Sequence, residues 1–208
     1  MDITWLGHSC FCLEEDGYRI VADPYDDAVD GYPPLRTDAH AVYCSHEHHD
    51  HNFREGVTLL PGRKSPFTVR TVDTFHDDRQ GTLRGPNKIH IFTAAGVTAV
   101  HLGDLGHPLS AAQVREIGPC DLLMVPVGGY YTIDAAEAKA VTDALAPRTV
   151  VPMHYRHAPF GLPPLAGVEE FLRLCSAWDV ESLEGYRFSV TKDTKHKVFV
   201  PHYPASAV

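Results

Sequence analysis

Residues 46–51 read His-Glu-His-His-Asp-His, a run that contains the pattern H-x-H-x-D-H at His46, His48, Asp50 and His51. Imidazole nitrogen and carboxylate oxygen suit zinc, manganese and iron, and packing needs rarely concentrate such donors in so short a segment. A solvated histidine-rich loop or a tag would look superficially similar. This run, however, is internal and follows the apolar, strand-like segment Ala39 to Ser45. It is not the helical H-E-x-x-H zinc motif, because position 50 is Asp. A helix would also turn His46 and His48 to different faces, whereas an extended or looped backbone can converge them on one ion. The run therefore belongs on a loop after a strand.

A site for two ions needs more donors than one loop offers, since each ion takes about four to six and keeps a position open. Further candidates stand at strand ends: His76 after Val69–Phe75, Asp104 in His-Leu-Gly-Asp-Leu-Gly-His, and His154 after Thr149–Met153. One histidine after a strand is more often a hydrogen-bonded structural residue, so the weight lies in all three occurring in order. His49 points away if its neighbours point inward, and His90 and His101 lie within strands, so structural roles are expected for these. Cys44 beside the run could ligate but reads as core on an alternating strand.

The elements that must position these residues are mostly strands. Segments rich in β-branched and aromatic residues recur at Asp2–Leu6, Phe11–Glu14, Tyr18–Ala22, Ala41–Cys44, Thr68–Thr74, Lys88–Thr93, Thr98–Leu102, Leu122–Val125 and Thr149–Met153. Gly96 reads as a hairpin turn. Helix signals come late: Ser110-x-x-Gln113 and Asp134-x-x-Glu137 have capping-box form, and Val168–Ala177 has helical spacing. The end of the chain reads as an edge strand over Lys192–Lys197 and a loose tail over Pro201–Val208. Strands paired first as hairpins and later alternating with helices predict an α+β fold, two sheets face to face with helices outside. No fixed-period repeat argues for a solenoid or propeller.

The 208 residues suffice for one buried core and contain no linker-like stretch, so a single domain over 1–208 is expected. Nothing resembles a signal peptide or the roughly 18 apolar residues of a membrane span. The odd number of cysteines, five, mostly in apolar segments, suits free thiols of a reducing cytoplasm. A net charge of −9 argues against non-specific affinity for DNA or RNA. Basic residues nonetheless gather at Arg54, Arg63, Lys64, Arg70, Arg79, Arg84 and Lys88, and a few could meet an anionic small substrate. No coiled coil or apolar stripe decides whether the chain forms a homo-oligomer.

Gly7-His8-Ser9-Cys10-Phe11, Asp23-Pro24, Gly103-Asp104-Leu105-Gly106-His107, Pro126-Val127-Gly128-Gly129-Tyr130 and Pro152-Met153-His154-Tyr155, together with the histidine run, resemble the metallo-β-lactamase-fold superfamily of metal-dependent hydrolases. Within it they resemble the ascorbate-6-phosphate-lactonase-like group, over roughly Ile3 to Arg156. The resemblance implies a four-layer αββα sandwich with the metals at one edge of the two sheets. It implies one metal site from His46, His48 and His76, a second from Asp50, His51 and His154, and Asp104 bridging both. Redox members of the superfamily carry Glu where this chain has His48, which favours hydrolysis.

The expected activity is hydrolysis of a small anionic ester, lactone or phosphodiester by a water that bridges two divalent ions, zinc first, with manganese or iron as alternatives. Asp50 is the catalytic candidate, both ligand and acceptor of a hydrogen bond from that water. Asp23 is expected to support the metal loop by hydrogen bonds. His8, His107, Tyr155 and Arg156 are candidates for substrate contact or support, the last two because they directly follow His154. The Gly128–Thr132 segment could meet an anion through its amides, but reads rather as a tight turn with packing tyrosines. The competing readings are a metal-dependent nuclease, which would want added basic segments, and a non-catalytic metal-binding sensor of the same fold, which the complete ligand set disfavours.

Overall fold

A computed structural model describes residues 1–203 of the chain. The first sheet is built from β1 (Asp2–Gly7), β2 (Cys10–Glu15), β3 (Tyr18–Ala22), β5 (Ala41–Tyr43) and β13 (Arg187–Ser189), in the order β13-β1-β2-β3-β5. The second contains β7 (Thr68–Phe75), β8 (Pro86–Ala94), β9 (Val97–His101), β10 (Leu122–Pro126), β11 (Thr149–Met153), β12 (Asp179–Ser182) and β14 (Lys197–Val200). Its order is β12-β14-β11-β10-β9-β8-β7. Ala95 and Gly96, both at positive φ, close the β8–β9 hairpin as the glycine predicted.

Residue alternation explains why the second sheet is central. Leu122 and Met124 of β10 face the core shared with the first sheet, whereas Leu123 and Val125 face the core under the helices. Such continuous apolar strands are stable only when both faces are covered. The cover on the far side comes from α1 (Ala111–Ile117), α2 (Ala135–Leu145) and α3 (Glu169–Leu174). Both expected capping boxes form, Ser110 with Gln113 and Asp134 with Glu137. Ala138, Val141, Thr142 and Leu145 form the buried stripe of α2. The third helix is shorter than its spacing predicted and stops at Leu174. Beside the first sheet the chain forms the short parallel pair β4 (Thr37–Ala39) and β6 (Val57–Leu59), joined through a 3-10 turn at Arg54–Gly56.

Two expectations about the C-terminal region need correction. The last strand is β14, and it is not an edge, because β12 pairs with it on the side away from β11. Of the expected tail, residues 204–208 lie outside the described residues, and Tyr203 is anchored, with its ring 5.4 Å from Tyr32 and Phe160. Among the described residues no helix is long and apolar enough to cross a membrane.

Pairing directions place the chemistry. β1 and β3 run the same way because each is antiparallel to β2, and β5 is parallel to β3. In the other sheet β9, β10 and β11 are parallel, and β7 shares their direction because both β7 and β9 oppose β8. Seven strands thus deliver their carboxyl ends to one rim of their sheets, where loops can converge.

Candidate metal centre

Each of those carboxyl ends carries a functional side chain or leads into one. β1 leads to His8, β3 to Asp23, β5 to the run His46–His51, β7 to His76, β9 to Asp104, β10 to Tyr131 and β11 to His154. His8, Asp23 and His154 have φ of 51°, 50° and 53°, a left-handed conformation unusual for residues other than glycine. Such strain tends to gather at functional sites, where the fold turns a side chain sharply out of its strand. Gly106 and Gly128 permit the close approach of neighbouring loops. A Cβ on Gly106 would overlap the His76 backbone, and one on Gly128 the carbonyl oxygen of His154.

The loops bring all seven ligand candidates together, in groups whose ligand atoms lie within 4.8 Å of one another: His46, His48 and His76; His46, His51 and Asp104; and His8, Asp50, His51 and His154. Asp104 is the hub. Its Oδ2 lies 3.1 Å from His76 Nε2 and 3.2 Å from His154 Nε2, and its Oδ1 3.2 Å from His51 Nε2. Yet the buried atoms His46 Nε2, His51 Nε2, His154 Nε2 and Asp104 Oδ1 have no hydrogen-bond partner. Closeness without hydrogen-bond alignment, in an interior where orphaned polar atoms are costly, is the arrangement a cation resolves. The donor set thus fits divalent metal.

The charges agree. Burial would raise the Asp104 carboxyl, but the His154 and His51 imidazoles outweigh it and hold it well below its usual range. Burial would likewise lower His51, but Asp104, Asp50 and Asp23 outweigh it and push it well above 6.5. Burial, with His51, brings His46 down to about 3, leaving it a neutral donor at physiological pH.

A layer of hydrogen bonds fixes the ring orientations. Asp23 accepts from Ser45 N (2.7 Å) and Ser45 Oγ (2.6 Å) and from His51 Nδ1 (2.7 Å), while Ser45 Oγ also meets His46 Nδ1 at 2.9 Å. Asp23 is therefore placed to support the loop. Asn87 braces the opposite side: its Oδ1 accepts from Asp104 N (2.9 Å) and its Nδ2 donates to Leu102 O (2.9 Å). His8 is wholly buried, with Nε2 3.3 Å from Asp50 Oδ2 and its ring 4.2 Å from that of His154. Such outer contacts set tautomer and ligand geometry in metal sites.

The cluster forms the floor of a cavity of about 370 Å³. Arg84, Tyr131, Leu162 and His49 complete its wall. His49 also turns outward to Asp26, 3.0 Å away. Tyr155 and Arg156 are elsewhere, contrary to the expectation from their place in the sequence. The turn at His154 sends Tyr155 into the core, stacked on Trp5 at 6.2 Å, and leaves Arg156 exposed beside Pro163. His107 is not in the cavity either; its Nε2 accepts from Phe75 N (3.3 Å) and its Nδ1 donates to Pro108 O (2.8 Å). His101 is structural, donating from Nε2 to Ser9 O (2.8 Å) and accepting at Nδ1 from Gly103 N (3.1 Å). Sequence reasoning missed Ser45, Asp77, Asn87 and Leu162, and gave Arg84 and Tyr131 no specific role. The basic cluster around Arg84 and the position of Ser45 directly before the run were the available signals.

Residues 2–154 match the beta-lactamase superfamily domain. A UPF0173 metal-dependent hydrolase of Carboxydothermus hydrogenoformans is 30% identical over 200 residues, covering 76% of this chain and 86% of the relative. The crystal structure of a candidate Zn-dependent hydrolase of the metallo-β-lactamase superfamily from Thermotoga maritima matches with a TM-score of 0.74 at 35% identity, covering 98% of this chain and 99% of that one. An isothiocyanate hydrolase from Delia radicum gut bacteria shares the fold at a TM-score of 0.64 and 13% identity, over 97% of this chain and 96% of its own. Fold and His/Asp cluster together define a metal-dependent hydrolase of the metallo-β-lactamase superfamily. The chain belongs to the UPF0173 family of that class.

Proposed function

We propose that this hydrolase is dinuclear and cleaves a small anionic ester, lactone or phosphodiester in the cytoplasm. The observation that carries the reading is Asp104, one carboxylate that meets three imidazoles, Oδ2 lying 3.1 Å from His76 and 3.2 Å from His154 and Oδ1 3.2 Å from His51. His46, His48 and His76 would hold one ion, Asp50, His51 and His154 the second, and Asp104 both. Bound there, the ions would supply an activated water and a Lewis acid for the oxyanion or leaving group. Zinc is the first candidate, supported by the N/O donor set and by the Zn-dependent description of the Thermotoga maritima relative. The five free cysteines suit a reducing compartment.

The chain's own groups do the rest. Asp50, on the cavity floor, accepts a proton or hydrogen bond from the attacking water and aims it at the substrate. Asp23 holds the His51 imidazole, and Asn87 holds the backbone that carries Asp104. Tyr131 and Leu162 offer apolar walls to the body of a small substrate. The motif resemblance to the ascorbate-6-phosphate-lactonase-like group supports a substrate that is small and anionic.

The test is metal content by elemental analysis of freshly purified protein, with hydrolysis of p-nitrophenyl phosphodiester and lactone substrates before and after chelation. About two transition-metal ions per chain, with activity lost to chelator and restored by zinc, is the expected result. A chain that takes up no metal on reconstitution would overturn it.

A further inference from the structure

The segment between β7 and β8 presents a cation to the cavity. It is organised around Asp77, 2% exposed, which directly follows His76. Asp77 Oδ1 accepts from Arg79 N (2.8 Å) and Gly81 N (2.8 Å), and Oδ2 from Leu83 N (3.0 Å) and Arg84 N (2.7 Å). Four backbone donors on one carboxylate fix the path of the loop and hence where Arg84 leaves it. The Arg84 guanidinium lies 5.8 Å from the centre of the Tyr131 ring, and Nη2 donates to Tyr130 O at 3.2 Å. Ring and carbonyl hold the group but do not neutralise it, and among the described residues it forms no ion pair. Arg84 is also the one Lys or Arg among the described residues of the cavity wall. Arg79, on the same loop, is exposed, lies 3.9 Å from Asp78 and is not part of that wall.

We propose that Arg84 and Tyr131 form an anion-binding subsite, which selects substrates carrying a carboxylate or phosphate group beside a small apolar body. The planar guanidinium offers paired N–H donors to such oxygens, and the Tyr131 ring and Leu162 take the apolar part. In a chain of net charge −9 this local cation counters the repulsion that an anionic substrate would meet elsewhere on the surface. The inference rests on the hydrolase reading of the same cavity and adds the residue that chooses the substrate.

The test is calorimetric titration of zinc-loaded protein with phenylphosphonate, comparing wild type, Arg84→Gln, Arg84→Lys and Arg79→Gln at matched metal content. Arg84→Gln is expected to weaken binding about 10- to 100-fold, Arg84→Lys to recover part of it, and Arg79→Gln to match wild type. Equal affinity in Arg84→Gln, equal weakening in Arg79→Gln, or no binding to wild type at millimolar concentration overturns the subsite. A protein that hydrolyses no ester refutes the hydrolase reading alone, because the affinity ratio of wild type to Arg84→Gln is still measured. Where esters are hydrolysed, kcat/KM should fall more for a charged ester than for its neutral analogue, chiefly through KM.

Discussion

Asp50 stands at the junction of the metal cluster, the cavity and His8. Its carboxylate faces His51 Nε2 at 3.6 Å and accepts from His8 Nε2 at 3.3 Å. Burial would raise its pKa, but His51 and His8 overcome that and keep the carboxylate ionised. Asp50→Ala should therefore lower kcat by roughly 10²–10⁴-fold at matched zinc content while the fold stays intact, since it removes a ligand and proton acceptor and not an apolar core side chain. Full activity at saturating zinc would show that Asp50 has no such role. His8 contacts Asp50 and is not part of the cavity wall, which places it to act on the carboxylate rather than on substrate. His8→Ala should loosen zinc about 10- to 100-fold in competition with a chelator, and unchanged retention would reduce His8 to packing. At this scale the ligand candidates were legible because residue type and spacing are local properties. Asn87 and Asp77 were not, since nothing local tells that a polar residue at the start of a strand or in a loop will meet Asp104 or hold the cavity's cation, and Arg84 was read only as one of a basic group that could meet an anion. Tyr155 misled for a related reason: adjacency to His154 does not survive a residue at positive φ.

At the scale of elements, site geometry follows from strand direction, and most strands could be read from β-branched alternation. The short pairs β4–β6 and β12–β14 were harder, because three- and four-residue strands carry too little pattern. Whether a strand lies at an edge depends on which other strand reaches it, which no local pattern encodes. Helix starts were legible since capping boxes are local, as Asp134 and Glu137 show at α2. This separates stability from function in a testable way. Asp134→Ala removes the acceptor of the Ala136 and Glu137 amides without touching a ligand candidate or the cavity wall, and should cost about 1 kcal/mol in denaturant unfolding. Metal content should not change. Asp77→Ala strips the charged acceptor from four loop amides and should cost about 1–3 kcal/mol. It should also speed amide exchange at Arg79, Gly81, Leu83 and Arg84. Native-like protection there would mean the loop holds its path without the carboxylate.

Across the whole molecule, two apolar cores sandwich the second sheet, and the free thiols sample both. Cys10 and Cys12 belong to the core between the sheets, Cys120 and Cys175 to the core under the helices. Burial disfavours the thiolate in each, pushing Cys12 from 9.0 to about 11 and Cys175 likewise to about 11. A disulfide reagent at about pH 8 should therefore react slowly with the folded protein and rapidly with all five thiols after unfolding. The same shifts link stability to pH. A folded-state pKa raised above its unfolded value contributes stability that is fully present below about 9 and lost as pH climbs through about 11, because the unfolded chain releases the proton first. For Cys12, 8% exposed, the shift from 9.0 to about 11 corresponds to roughly 2–3 kcal/mol. Denaturant unfolding of wild type and Cys12→Ala between about pH 8 and 11 isolates it: the variant starts less stable for want of a buried side chain, yet loses less as pH rises. Parallel pH profiles would mean that the Cys12 thiol ionises alike in the folded and unfolded chain.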